Sequence, residues 1–513
     1  MIRGVWRRLW LERMRMHGLS GRNQGGARPV AAAKSGLVLS GTAFLGVCAA
    51  VSWFLCWGRA VSTVTWGEMQ FALTLTALCA VPILTLRLLT KRDGRFPFLD
   101  VGVICVIVTT LYFGVPLVNF IAGGMAFTVL SDNRLFVYNP VAQDFGPLIW
   151  GAVLYLVGFC TVYVILRGKG YPRDVAMEKP GGARIAMVAF LFAGLGLSII
   201  TIESLYGVSL APSYEDLRAG EGLVTQLPYY LQQLAHNVQG MYLISKQALL
   251  IVVFFYWKKL PIRTLGLAWL LAEIFWSVAR QGARTDVVLL ILSAALLYHR
   301  LVRALSFSRM CLGGLALLVG VVLVGLVRDM GLLVGEMPVA DVSVLSVTNE
   351  FQSLFGTAYD LYERSARGEL STIPWTLYLS EILLLIPSQI LPFRKIGPAD
   401  WYLELLDLRE SQVGFMFGVL SQGVIGGGWV ELLARGMLLA GVYAALHRWY
   451  VRRSSSWSAT LVYLFVCVWS YYTVRATTFY FIYFVVYRLA PFLLLVSVGE
   501  RVLSAVEPPR KSP

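Results

Sequence analysis

The stretch at 266–298 reads GLAWLLAEIFWSVARQGARTDVVLLILSAALLY. It holds two apolar runs joined by a short charged segment, ARQGARTDVV at 279–288. Each run has about the length of 17–25 residues that a helix needs to cross a hydrocarbon core of ~30 Å. The stretch therefore predicts a hairpin of two membrane-spanning helices, with Arg280 and Arg284 at its tip.

The whole chain has the composition of an integral membrane protein. Of its 513 residues, 57% are apolar and 14% are charged, whereas soluble domains have about 45–50% apolar and about 25% charged residues. The formal net charge is +15, but more than half of the Lys and Arg residues lie in short loops between apolar runs. This pattern is typical of cytoplasmic loops and does not indicate nucleic-acid binding. All seven cysteines lie within or at the ends of apolar runs, without a CxxC pair, so we expect neither a disulfide framework nor a zinc site.

Apolar runs of spanning length recur along the chain, and they predict about twelve crossings with both termini cytoplasmic. The expected spans are 36–57, 69–90, 100–122, 146–166, 185–205, 238–257, 264–280, 285–302, 310–328, 429–447, 457–474 and 479–498. Five basic loops fall on the predicted inner side: RLLTKRDGR at 87–95, RGKGYPR at 167–173, KKLPIR at 258–263, HRLVR at 299–303 and HRWYVRR at 447–453. Their positive charge agrees with the rule that cytoplasmic loops are basic.

These crossings divide the chain into five parts. We expect a basic cytoplasmic tail at 1–35, spans one to nine at 36–328 with an outer loop at 206–237, a large outer loop at 329–428, spans ten to twelve at 429–498, and a second cytoplasmic tail at 499–513. Within the large loop, WTLYLSEILLLIPSQILPF at 375–393 is apolar but is interrupted by Ser380, Glu381 and Pro387. It could be a thirteenth span, a re-entrant segment or an interfacial helix. The last two are favoured, because one more span would move the basic HRWYVRR loop outside.

Charged residues in or beside a span need a partner, a wet cavity or a function, because a charge near the bilayer centre costs at least about 2.5–3.5 kcal/mol. The candidates are Lys246, Glu273, Arg280, Arg284, Asp286, Arg328, Asp329, Arg435 and Arg475. Arg280 and Arg284 are four residues apart, so they share a helical face with Glu273 if the seventh span extends through them. They are then either a snorkelling pair with Glu273 as counter-ion, or a guanidinium clamp for phosphate oxygens.

Further arginines are expected at the same outer depth. Arg328 and Arg475 fall at the outer ends of spans nine and eleven, and three outward hairpins that converge on one anion are the simplest explanation. A lipid pyrophosphate is the natural anion at that interface. The loop at 329–428 adds acids, amides and aromatic side chains that suit sugars, although an interfacial aromatic belt also accounts for most of the aromatics. The predicted substrate-binding residues are Arg280, Arg284, Arg328, Arg475, Arg218, Asn349 and Trp401.

Motifs in the second half of the chain resemble a known family. IPSQILPFRKIGPADWYLELL at 386–406 and SQVGFMFGVLSQGVIGGGWVELLARGMLLAGVY at 411–443 resemble the late outer loop and the following span of bacterial oligosaccharide repeat-unit polymerases, the Wzy or O-antigen polymerases. VTNEFQSLFGTAYDL at 347–361 resembles the segment that opens this loop. ARQGAR resembles the family's "gsRg" hairpin, from which Gln281 and Ala283 depart. The resemblance covers residues 265–445, and the first half adds only YFGVPL at 112–117 and the topology.

The resemblance implies an all-α, polytopic, GT-C-like fold in the bacterial inner membrane. It also implies a metal-independent glycosyltransferase without a cofactor, which polymerises undecaprenyl-pyrophosphate-linked oligosaccharide repeat units at the outer face for O-antigen, capsule or exopolysaccharide. Arginines would neutralise the departing pyrophosphate, here Arg280, Arg284, Arg328 and Arg475. The base that deprotonates the acceptor hydroxyl would be Glu350, Glu410 or Glu381, in that order. Besides membrane lipid, a chain-length regulator and a flippase are the implied partners.

Other classes of protein remain open. A metal-dependent glycosyltransferase is disfavoured because the first outer loop offers only Glu68, although YEDLRAG at 214–220 is acidic. An O-antigen ligase typically adds a loop histidine, and His236 is the only histidine on the predicted outer side. A flippase or transporter would need charges through the full bilayer, and Lys246 with Glu273 would supply them if both lined a continuous path.

Overall fold

The apolar runs of the sequence form long helices. The computed structural model describes residues 66–506, with gaps at 124–126, 132–133, 139–141, 172–174, 211–226, 280–283, 307, 311, 315–338, 371–372, 387–389, 391–396 and 407–415. Five helices in this part are long and apolar enough to cross a membrane: Pro147–Leu166, Gly182–Tyr206, Tyr230–Phe255, Gly428–Arg452 and Phe481–Ala505. Shorter apolar helices lie at Val101–Pro116, Val287–Val302 and Trp457–Trp469. The protein is therefore a predominantly helical membrane protein, while the first span and most of the ninth lie outside the described residues.

Helices and two strands follow one another along the chain. The helices are α1 (Trp66–Asp93), α2 (Val101–Gly123), α3 (Ala142–Leu166), α4 (Gly182–Tyr206), α5 (Tyr229–Phe255), α6 (Leu260–Ala279), α7 (Arg284–Leu297), α8 (Val339–Ala366), α9 (Trp375–Tyr378), α10 (Ser380–Leu383), α11 (Pro398–Leu405), α12 (Val419–Ile425), α13 (Gly428–Arg452), α14 (Trp457–Trp469), α15 (Tyr472–Arg475), α16 (Phe481–Phe484) and α17 (Ala490–Val506). A π turn at Tyr298–Val302 continues α7, and a second at Val485–Leu489 joins α16 to α17.

The described residues between α2 and α3 form two strands. Strands β1 (Phe127–Ser131) and β2 (Arg134–Tyr138) pair as an antiparallel hairpin, which packs against α8. Both strands are rich in β-branched and aromatic residues, which favour an extended chain. The fold is therefore predominantly helical, consistent with the expected all-α class, and this short hairpin is an addition that the sequence analysis did not predict.

Two expected segments differ from simple spans. Span eleven, at 457–474, is divided: α14 ends at Trp469, and the chain passes through the single turn of α15 before α16 begins. The apolar segment at 375–393 contains two one-turn helices, α9 and α10, neither of which is long enough to cross a bilayer. At both interruptions of the helices, polar groups form hydrogen bonds with another segment: Glu381 of α10 accepts one from the backbone of Phe479, which lies between α15 and α16.

The closest helix pair is α3 with α13. A Cβ atom at Gly436 would lie 2.3 Å from the backbone oxygen of Tyr155, and one at Gly158 would lie 2.7 Å from the backbone oxygen of Leu433. Glycines on both helices thus let the two backbones approach more closely than larger side chains would allow, as is common between membrane helices. This pair is the centre of a large apolar core that includes α1, α2, α5, α7 and α14.

The five basic loops lie together at one end of the bundle, which we call the basic end. They are joined by the pairs Arg167–Asp93 at 2.7 Å, Tyr171–His299 at 2.8 Å and Arg300–Ser454 at 3.1 Å, and by the rings of Trp257 and Tyr298, whose centres are 6.0 Å apart. The loops that their positive charge assigned to one side of the membrane thus lie together in the fold. We call the opposite end, where α13 begins, the distal end.

A buried ion cluster fixes the helices at the basic end. The side chain of Asp100 is fully buried and accepts hydrogen bonds from Tyr163 and Arg167, and Arg167 also pairs with Asp93. His447 lies 3.7 Å from the same carboxylate. The buried charge of Asp100 is thus balanced by Arg167 and engaged by Tyr163, as a buried carboxylate requires.

The Asp100→Asn variant is expected to lose about 3 kcal/mol or more of unfolding free energy, because it leaves Arg167 buried with half of its counter-charge. The measurement is reversible unfolding of the purified protein in mixed micelles. Arg184→Gln is the matched control, since it removes a partly exposed pair with Glu500 and should cost about 1 kcal/mol or less. Equal losses in the two variants would contradict a special role of the buried cluster.

Candidate anion-binding site

A run of three glycines turns the chain at the distal end. Helix α12 ends at Ile425 and α13 begins at Gly428, which has a φ of 61°. Glycine adopts this left-handed conformation without steric cost, so the two helices can be joined by so short a turn. The Gly427 N–H donates to Oε2 of Glu431 at 2.6 Å, which satisfies one of the free N–H groups at the start of α13.

Arg435 lies two turns into α13 and holds two carboxylates. Its Nη1 is 2.8 Å from Glu381, and its Nε is 2.7 Å from Glu431. The three side chains are 14%, 11% and 23% exposed, respectively, so the ion triad is largely buried. The i,i+4 spacing places Glu431 on the same face of α13, whereas Glu381 comes from α10.

The chain between α14 and α16, where the helix is interrupted, lies against this ion triad. Glu381 accepts a hydrogen bond of 2.8 Å from the backbone N–H of Phe479. Gln422 accepts one of 3.0 Å from the backbone N–H of Thr478. An irregular backbone at membrane depth is tolerated only where its polar groups find partners in the protein. Glu381 and Gln422 are therefore structural partners of the helix break.

A second arginine at the distal end has no such partners. Arg488 lies in the π turn at Val485–Leu489, and its guanidinium carbon is 4.5 Å from the centre of the Phe484 ring. Among the residues that the structure describes, no carboxylate pairs with Arg488, and its buried Nε has no hydrogen-bond partner. A π turn inserts one residue into a helix and often occurs at a functional site.

The surroundings of Arg488 leave space for its side chain. Gly240 of α5 faces it, and a Cβ atom at Gly240 would lie 2.3 Å from Cδ of Arg488. Also near Arg488 is a group of aromatic side chains from α15, α16 and the residues just before these helices: Tyr471, Tyr472, Tyr480, Tyr483 and Phe484. Arg488 is twelve residues before Glu500 and Arg435 is twelve residues before His447, so both lie roughly 18 Å from the basic end along their helices.

Of the residues predicted for the site, the structure describes the side chains of Glu381, Arg475 and Trp401. Glu381 contacts Arg435, and Arg475 is the last residue of α15, three residues before Thr478. Trp401 is only 8% exposed and its ring packs against Phe417, at 6.3 Å between centres, in a small separate core. This packing leaves Trp401 little surface for contact with a sugar.

Other predicted residues cannot be placed in the site. Arg218, Arg280, Arg328 and Glu410 lie outside the described residues. Arg284 is the first residue of α7, and Asn349 and Glu350 belong to α8, but their side chains are outside the described part. Their proposed roles therefore stay predictions. Within the described part, no group of three or more His, Cys, Asp or Glu side chains is arranged to hold a metal ion.

The hairpin tip lies largely outside the described residues. Helix α6 is described to Ala279 and α7 from Arg284, so the common face predicted for Arg280 and Arg284 stays a prediction. Glu273, expected as counter-ion of Arg280, pairs with Lys246 of α5 at 2.5 Å. The pair borders a cavity of about 20 Å³, which has room for a single water molecule.

Sequence reasoning did not include Arg435 and Arg488 among the predicted binding residues. Arg435 could have been found from its i,i+4 spacing to Glu431 in the WVELLARG segment at 429–436. Arg488 is the only charge in FYFIYFVVYRLAPFLLL at 479–495, a signal that marks functional residues in membrane spans. Within the described residues, the distal end thus holds one arginine neutralised by two carboxylates, Arg435, and one with no carboxylate partner, Arg488.

Comparison with known proteins adds no relative to this picture: no protein family, curated protein or solved structure matches the chain. The fold itself defines the class, a predominantly helical membrane protein with charged residues buried at both ends of its helical bundle.

Proposed function

We propose that the protein polymerises oligosaccharide repeat units linked to undecaprenyl pyrophosphate, at the outer face of the bacterial inner membrane. The observation that supports this most is Arg488, a membrane-embedded guanidinium with an unpaired Nε and no carboxylate partner within the described residues. A charge at this depth is costly unless it meets an opposite charge. In this proposal the pyrophosphate of a lipid-linked substrate is that opposite charge, since it supplies two or more negative charges.

In the proposed reaction, the acceptor hydroxyl oxygen bonds to the anomeric carbon of the donor glycan. The bond between this carbon and the pyrophosphate oxygen breaks, and its electron pair leaves with the pyrophosphate. Arg488 stabilises the negative charge that develops there, because a guanidinium presents N–H donors that fit phosphate oxygens. The hydroxyl proton passes to a carboxylate, for which Glu350 and Glu410 are the candidates.

Glu381 has a different role in this proposal. One of its oxygens pairs with Arg435 and the other accepts the N–H of Phe479. A carboxylate with both oxygens engaged is poorly placed to take a proton from a substrate. We therefore assign Glu381 to positioning: it holds the helix break that carries Arg475 and leads to Arg488.

A flippase or transporter is the alternative from another class. It would need a polar path through the bilayer, to which Lys246 and Glu273 could contribute. In the structure these two side chains pair with each other beside a cavity of about 20 Å³. A ligase of O-antigen type would use the same leaving group and differs only in its acceptor, so the test must separate all three.

Deletion of the gene in its host tests the proposal. Surface polysaccharide is separated by size and the lipid-linked pool is analysed by mass. We expect the long ladder to disappear while single repeat units are still made and still reach the outer face. A ladder that persists without its final carrier would indicate a ligase, and units trapped on the inner face would indicate a flippase. Either of these two results would overturn the proposed polymerase.

A further inference from the structure

One face of α13 is exposed along the basic half of the helix. Leu438, Val442, Ala445, Trp449 and Arg452 follow one another at intervals of three or four residues, so they form one stripe down the helix. Leu438 is 61% exposed and Val442 is 42% exposed. The stripe is apolar toward the distal end and becomes aromatic and then cationic at the basic end.

The stripe ends in an open depression of about 460 Å³. Its lining consists of Ala445, Arg448, Trp449, Arg452 and Arg453. Within the described part of the chain, no acidic side chain lines it. Three guanidinium groups therefore face one space beside an indole ring, at the end of the bundle where the basic loops meet.

Four other arginines at this end are used within the protein. Arg167 pairs with two aspartates, Arg184 pairs with Glu500, Arg300 donates to backbone oxygens, and Arg95 lies over the ring of Tyr171. By contrast, Arg448, Arg452 and Arg453 are exposed, and the guanidinium of Arg453 lies 5.9 Å from the Trp449 ring centre. These three charges are thus directed outward and can meet an external anion.

We propose that this depression binds the headgroup of an anionic phospholipid of the surrounding bilayer, with an acyl chain along Leu438, Val442 and Ala445. The arginines match phosphate oxygens, Trp449 suits the boundary between headgroup and chain, and the apolar stripe above them faces the hydrocarbon. Basic pockets beside membrane helices bind anionic headgroups in this way. The inference does not depend on the proposed reaction, because it concerns the opposite end of α13.

Native mass spectrometry of the purified full chain with added phosphatidylglycerol tests the proposal. The wild type is expected to retain phosphatidylglycerol and not phosphatidylcholine. The variant Arg448→Gln/Arg452→Gln/Arg453→Gln is expected to bind phosphatidylglycerol at least about tenfold more weakly, because each arginine near the surface contributes to the attraction. The control is Lys258→Gln/Lys259→Gln/Arg263→Gln, which removes the same charge from another exposed loop of this end.

Equal losses in the two triple variants would overturn the site, since general surface charge would then explain the binding. Displacement of the lipid by equimolar inorganic phosphate would also overturn it in favour of a free-anion site. If the triple variant folds poorly, a titration of the wild type alone still shows whether a defined lipid site exists. Phosphatidylglycerol, added to protein in phosphatidylcholine, is expected to raise the unfolding temperature in a saturable manner, and the absence of saturation would contradict a defined site.

Discussion

Replacing Arg488 by alanine is expected to abolish the long polysaccharide ladder while the protein remains in the membrane. Loss of one donor to a developing negative charge lowers an enzymatic rate by about 10²–10³. The fold should not suffer, because a lone charge at membrane depth costs at least about 2.5 kcal/mol and alanine removes that cost. Arg488→Lys is expected to restore little, since an ammonium group does not reproduce the planar guanidinium. Polymer size and membrane protein level are measured in a strain that lacks the native gene.

Two further variants separate binding from packing at this position. Arg367→Ala is the control, because it removes a guanidinium that is 57% exposed and should leave the ladder unchanged. Gly240→Ala places a Cβ atom 2.3 Å from Cδ of Arg488, so it must displace that side chain and is expected to shorten the ladder. Combined with Arg488→Ala, the Gly240 change should have no further effect. A normal ladder from well-expressed Arg488→Ala protein would refute the proposed role.

The second large effect is expected from the pair of Glu381 and Arg435. Glu381→Gln leaves Arg435 largely buried with Glu431 as its remaining carboxylate, and we expect a loss of about 1–3 kcal/mol in stability together with reduced polymer. Arg435→Gln should have a similar effect, because it leaves two carboxylates without their cation. The double variant is expected to be more stable than the sum of the single losses predicts. Unfolding in mixed micelles gives the three free energies.

Stability and polymerisation rate together distinguish a positioning role of Glu381 from a role as general base. A base would leave stability near the wild-type value in Glu381→Gln while the polymerisation rate falls by about 10²–10⁴, and removal of Arg435 would then not compensate. Glu431→Gln is the matched control on α13, since it removes the other carboxylate of Arg435, which is more exposed. It is expected to have the smaller effect on stability.

The helical part of the fold followed from local features of the sequence. Apolar runs of about twenty residues can satisfy their backbone in a bilayer only as helices. The positions of α2 through α7 agree with the expected spans within about five residues, except that α5 begins at Tyr229 and not near residue 238. The grouping of the basic loops at one end followed from charge alone. These properties depend on short stretches and need no knowledge of tertiary contacts.

The candidate site could not be predicted in the same way. Arg435 meets Glu381 across 54 residues, and Arg488 faces Gly240 from the other half of the chain. No periodicity encodes such pairs, because helix packing decides them. The helix break after Trp469 was also missed, since its free N–H groups are satisfied by Gln422 and Glu381 from distant segments. An apolar run alone does not reveal such distant acceptors.

Helix α13 links the two ends of the molecule as a rigid rod. It holds Arg435 in one ion cluster and His447 near another, twelve residues apart, which corresponds to about 18 Å along the axis. The close glycine contacts with α3, at Leu433 and Gly436, lie beside Arg435, so the helix is held against α3 at this end of the segment. With that point fixed, a tilt of α13 by about 10° would leave Arg435 nearly in place and move His447 by about 3 Å on this length. The cluster at the basic end is therefore the one that a change in the tilt of α13 would displace.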